Sequence, residues 1–196
     1  MPPKSAPPAI RQFPELINTS EPPDLGPGPR ASVIALPALN QKLNDWLARA
    51  SFPAGVHEPI RGAILLWHDH LDAAHKIAQD LPGANGSLLH AIMHRREPDY
   101  GNAKYWFQRA GQHPCFAELA CRVAALPELK SHPALRDDLL PRGAWDAFAF
   151  VDACESAAGR PATDPQTHFL RAVQAMETQV FLEHLCRPPS PLTYAR

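Results

Sequence analysis

The chain lacks an excess of charge of either sign: 19 Lys and Arg stand against 20 Asp and Glu, a formal net charge of -1 over 196 residues. A general nucleic-acid binder carries a basic footprint, so this balance argues against nucleic acid as a partner. Long apolar runs are missing too. No stretch approaches the roughly 18 apolar residues that span a bilayer, and the opening Met1-Pro2-Pro3-Lys4-Ser5-Ala6-Pro7-Pro8 holds no apolar core of an export signal. The reading is a cytoplasmic protein with no membrane segment. Cysteine is sparse: Cys115, Cys121, Cys154 and Cys186 form no C-x-x-C pair and no zinc-ribbon spacing, which leaves reduced thiols, with Cys121 and Cys154 expected in the core. Complete catalytic signatures are absent as well. There is no G-x-S-x-G, no H-E-x-x-H and no glycine-rich phosphate loop after a strand.

What is abundant is proline and histidine, 23 and 10 residues, both unevenly spread. Nine prolines fall in residues 1–30 and three more in 188–191. Proline fixes φ and removes a backbone donor, so residues 1–30 read as an extended or disordered tail, with only Phe13, Leu16 and Ile17 able to anchor it. Residues 31–187 then form a single helical domain, and 188–196 a C-terminal tail. Seven histidines lie between His57 and His113.

Within the domain, apolar spacing of three and four predicts an all-α fold of seven or eight helices. Helices are expected from Pro37, over 58–67, from Asp69 (as N-cap) to Leu81, from Ser87 (as cap) to Glu97, from Asp99 to Ala110, over 114–126, from Trp145 to Gly159, and from Thr163-Asp164-Pro165 to Cys186. Pro82 to Gly86 reads as a turn, residues 127–141 as a connector with one short turn, and only Ser32 to Leu36 suits a strand. Trp67, Trp106, Phe107, Phe148 and Val151 are expected in the core. The last helix should bury a stripe of Phe169, Val173, Met176, Val180 and Leu185.

The two central helix pairs repeat. Asp69-His70-Leu71-Asp72-Ala73 aligns with Asp99-Tyr100-Gly101-Asn102-Ala103 at an offset of 30, which sets Ile77 on Phe107. Tyr100, Ala103, Phe107, Ala110 and Pro114 match the second half of a tetratricopeptide or Sel1-like repeat, and residues 58–114 resemble that family. The resemblance implies antiparallel helical hairpins and, by analogy, a surface for a protein or peptide partner. Residues from His90 to Trp106, with Trp145 to Glu155, are also similar to a group of bacterial helical proteins of no known activity, which adds no mechanism.

Two constellations carry chemistry. His90, His94 and Glu97 stand at i, i+4, i+7, within roughly 60° on one helix face. Asp72 and His75 on the preceding helix can face them. Two or three imidazoles with a carboxylate make a divalent-metal site, and a metal-assisted hydrolase or other small-molecule enzyme follows as the alternative to a scaffold. His68 is left outside this set, because the repeat places a helix break beside it. The core stripe of the fourth helix is Leu88, Leu89, Ile92 and Met93, so His90 and His94 are expected on its polar face. The second constellation is Arg95, Arg96, Lys104 and Arg109 with Tyr100, Tyr105 and Trp106, cations beside aromatics, of which Arg95, Arg96, Tyr100 and Lys104 are read as ligand-binding candidates on a helical surface.

Overall fold

The computed structural model describes residues 13–50 and 52–187; the first twelve residues, the last nine and Ser51 lie outside the described residues. Among the described residues the chain is all-α, with ten α-helices, three short 3-10 turns and no strand. The segment expected as a strand leads directly into a helix at Leu36.

Helix ends follow local chemistry. Asp99 accepts from the Asn102 N–H at the start of α6 (Tyr100–Ala110), and Asp146 accepts from two N–H groups at the start of α9 (Ala147–Ala157). Asp164 caps α10 (Pro165–Leu185), with Pro165 in the first turn where its missing N–H costs nothing. Gly111 ends α6 at φ 63°. Two expected starts move. Pro82 to Gly86 is not a separate turn: Gly83–Gly86 form the first turn of α5 (Gly83–Arg96), and Ser87 lies inside the helix. Gly86 is required there, because a Cβ would stand 2.2 Å from the Leu81 carbonyl oxygen. The connector after α7 (Phe116–Ala124) is also more ordered than its prolines suggest, holding α8 (Pro133–Leu139) between 3-10 turns. Pro133 opens that helix rather than breaking it.

The turns after α3 and α5 share a backbone pattern, one residue off the register expected from the sequence. After α3 (His57–Trp67) the His70 N–H bonds to Leu65 O, and after α5 the Asp99 N–H bonds to His94 O. The equivalent positions are therefore His70 and Asp99, an offset of 29. Ala74 on α4 (Leu71–Asp80), not Ala73, matches Ala103, and both are fully buried. Asp69 is then not an N-cap. It takes a left-handed conformation (φ 62°), which Asp tolerates better than most residues, and its carboxylate turns inward.

Helices α3 to α6 pack each against the next, α9 follows on α6, and α10 lies against α3, α7 and α9. This encloses α5, where every residue from Gly86 to Arg96 is buried. Helix α10 is buried on nearly every side rather than along one stripe, with Arg171, Gln174 and Glu177 inside and Met176 only partly covered. Trp67, Phe107 and Val151 are core residues as expected. Trp106 is half-buried and Phe148 is 42% exposed, because α9 turns Phe150 rather than Phe148 inward. Cys154 is in the core, whereas Cys121 faces solvent.

Residues 13–30, expected as part of the tail, pack on the helical body. Helix α1 (Phe13–Leu16) buries Phe13 and Leu16, and Ile17 follows. Residues 17–30 continue without regular structure along the body to Arg30, itself 8% exposed. Helix α2 (Leu36–Arg49) then sets Leu39, Leu43, Trp46 and Leu47 against the core.

Candidate metal centre

Helix α5 carries two polar clusters into the interior. On the α4 side, His75 of α4 meets His90 and His94 of α5. One ring nitrogen from each lies within 4.8 Å of those of the other two. Ring centroids are 4.9 Å apart for His75 and His90, 5.1 Å for His75 and His94, and 4.7 Å for His90 and His94. His90 is also stacked on Trp106 of α6 at 4.0 Å. His90 and His94 are 4% and 5% exposed, so they are not on a solvated face. The expectation of an outward face came from the apolar stripe, but α5 is enclosed on the histidine side by α4 and α6.

The two buried imidazoles differ in their partners. His94 Nδ1 lies 3.4 Å from Glu97 and 3.8 Å from Asp99, while the Asn102 amide donates to its Nε2 at 3.1 Å. That pattern puts the proton on Nδ1 and a lone pair on Nε2. Among the described residues His90 has no hydrogen-bond partner at either nitrogen. Burial pushes its pKa down to about 4, with His94 and His75 nearby adding to the effect. Burial also lowers the His94 pKa, against the opposing pull of Glu97. Neutral imidazole is the form that ligates a cation. On His75, the Gln79 amide lies 3.1 Å from Nε2.

Of the five expected ligands, the structure brings His75, His90 and His94 together. Glu97 stands behind His94, where a carboxylate orients a ligating imidazole. Asp72 is exposed and outside the group. Tetrahedral zinc with Zn–N near 2.0–2.1 Å needs nitrogens roughly 3.3 Å apart, so ring rotation must draw the three inward. Three imidazoles leave a fourth position for water or an anion.

The arginine candidates are buried rather than on a helical surface. Arg95 is fully buried, paired with the equally buried Glu177, reached by Gln174, and lying 4.4 Å above the Phe150 ring. Arg96 bonds the Leu66 carbonyl, the Gly26 carbonyl and Asp69. Arg30 reaches the same carboxylate through its backbone N–H at 2.8 Å and its Nε at 2.9 Å. Burial alone would push the Asp69 carboxyl up, but the hydrogen bonds from Arg30 and the charge of Arg96 hold it below its ordinary range. Tyr100 is half-buried, and Lys104 pairs with Asp152 at the surface. His68, expected outside the site, is a satisfied core residue: its Nδ1 accepts from the Ile34 N–H and its Nε2 donates to the Leu16 carbonyl.

The periodicity of α5 concealed the burial of its polar residues, and Asp69 was concealed by its resemblance to a cap. The available signal was on α10, where Arg171, Gln174 and Glu177 recur at a spacing of three within an otherwise apolar helix. Comparison of the chain with family models, with curated proteins and with solved structures finds no match.

Proposed function

We propose that this protein binds a divalent transition-metal ion through His75, His90 and His94. The observation that carries this is His90, a buried imidazole with two unpartnered nitrogens beside two other imidazoles. A buried polar group without a partner costs roughly 1–3 kcal/mol, and a cation accepting the His90 lone pair relieves that cost. Nitrogen donors without a directly coordinating carboxylate favour zinc, copper, nickel or cobalt over magnesium or calcium. Binding would tie α4 to α5 and exchange the amide contacts of Gln79 and Asn102 for bonds to the ion. Among the described residues no helix is long and apolar enough to cross a membrane. A reducing, cytoplasmic setting fits the four free thiols.

Calorimetric titration of untagged protein with zinc tests the reading. One ion per chain is expected, with magnesium giving no heat. His90→Phe retains a ring to stack on Trp106 but has no lone pair, and it should abolish binding while the helical circular dichroism stays unchanged. Equal zinc affinity in the variant refutes the assignment. The reading of the chain as a scaffold for a peptide draws support from a different place, the seat of residues 19–30.

A further inference from the structure

Residues 19–30, Thr-Ser-Glu-Pro-Pro-Asp-Leu-Gly-Pro-Gly-Pro-Arg, lie on the helical body in the manner of a bound peptide. Four of these residues are prolines, which carry a carbonyl acceptor and no N–H, so a surface that reads such a segment must supply donors. The body does so. Arg171 of α10 donates to the Pro22 carbonyl at 2.8 Å, Gln174 of α10 to the Asp24 carbonyl at 2.8 Å, and Arg96 of α5 to the Gly26 carbonyl at 3.0 Å. The Trp67 indole donates to the Thr19 hydroxyl at 3.1 Å. For Arg30 at the end of the segment the body offers acceptors instead, the Asp69 carboxylate and the Trp67 carbonyl.

These body groups are buried while the segment shows its other side to water. Arg96, Arg171 and Gln174 are 1%, 6% and 1% exposed, whereas Ser20, Glu21, Pro27, Gly28 and Pro29 are exposed. Gly28 passes so close to Asp69 that a Cβ would stand 2.8 Å from its carboxylate. Contacts made mainly to backbone carbonyls, a fixed charged anchor and a solvent-facing outer edge are features of proline-rich peptide recognition.

We infer that the surface formed by α10, the α3–α4 turn and the end of α5 is a receptor for a proline-rich peptide ending in arginine, with residues 19–30 as its resident ligand in cis. A segment of this chemistry from another chain competes for the same seat. The low conformational entropy of a proline-rich chain favours such exchange, since little order is lost on binding.

The test uses the full chain with its own ligand weakened and a fluorescein-labelled peptide of residues 13–30 as probe. Arg30→Ala removes the anchor from the resident segment but leaves Asp69 paired with Arg96; Asp24→Ala instead removes the carboxylate that lies 3.0 Å from Arg171. Fluorescence anisotropy should show saturable binding of the probe to both variants, at an affinity about tenfold or more above that of the unaltered chain. The same probe carrying Arg30→Ala should bind about tenfold more weakly than the intact probe. Absence of saturable binding by either variant, each folded by circular dichroism, overturns the inference, as does binding indifferent to the probe's arginine. Loss of the helical fold in both variants also overturns it, since the segment is then a part of the core.

Discussion

Helix α5 holds two polar clusters at the same depth, and they are built on opposite principles. At its C-terminal end, Arg95 and Arg96 reach Glu177 and Asp69, and each guanidinium places its terminal nitrogens on acceptors. The cluster is charged and largely complete. Little more than one turn earlier, His90 is neutral and has no partner at all. Proteins leave few buried polar groups unsatisfied, and the proposed metal would supply the partner that His90 lacks.

The largest effect should come from breaking the charged cluster. Asp69→Ala strands Arg30 and Arg96 in the interior, and removal of one partner of a buried pair costs about 3–5 kcal/mol. Urea unfolding should show that loss in the midpoint, with the α1–α3 region opening first by hydrogen exchange. A loss below about 1 kcal/mol would mean that the two arginines find water instead.

The incomplete cluster should respond to ligand rather than to truncation. Zinc at about one hundred times its Kd should raise stability by about 2.7 kcal/mol, and His90→Phe should remove the increment, read as the zinc-dependent shift in Tm. Glu97→Gln keeps the three imidazoles but weakens the hold on His94 Nδ1, and zinc affinity should fall about 10–100-fold.

Acid sharpens the same distinction. His90 sits near 4 in the fold against an ordinary value of 6.5, so the unfolded chain takes up its proton first. Stability therefore declines as pH falls from about 6.5 to about 4, then levels off for this group. His90→Phe should flatten that slope in denaturant midpoints measured across the window. The smallest effect belongs to the surface pair of Lys104 and Asp152, where Lys104→Ala should change stability by about 0.5 kcal/mol or less.

Much of this was legible in the sequence, and the rest failed for definable reasons. Caps and prolines placed α6 and α10 because those signals act within four residues, and apolar spacing placed α9. The i, i+4 pair on α5 and His75 on α4 were visible from spacing alone. Burial of α5 was not, because amphipathic reasoning assumes one wet face and a central helix has none. Asp69 looked like a cap, since an acidic residue before a helix serves that role more often than it bridges two distant arginines. The seat of residues 17–30 was hidden for a similar reason. Proline-rich composition reports the absence of helix, and it says nothing of the donors on α10 that hold such a chain in place.

The central claim is that three imidazoles on α4 and α5 share one cation. X-ray absorption at the zinc edge of zinc-loaded, untagged protein measures that directly. The expected result is a shell with three imidazole nitrogens at about 2.0–2.1 Å and a fourth donor from water or an anion, lost in His90→Phe. A shell of oxygen donors alone, or one unchanged in the variant, would contradict it.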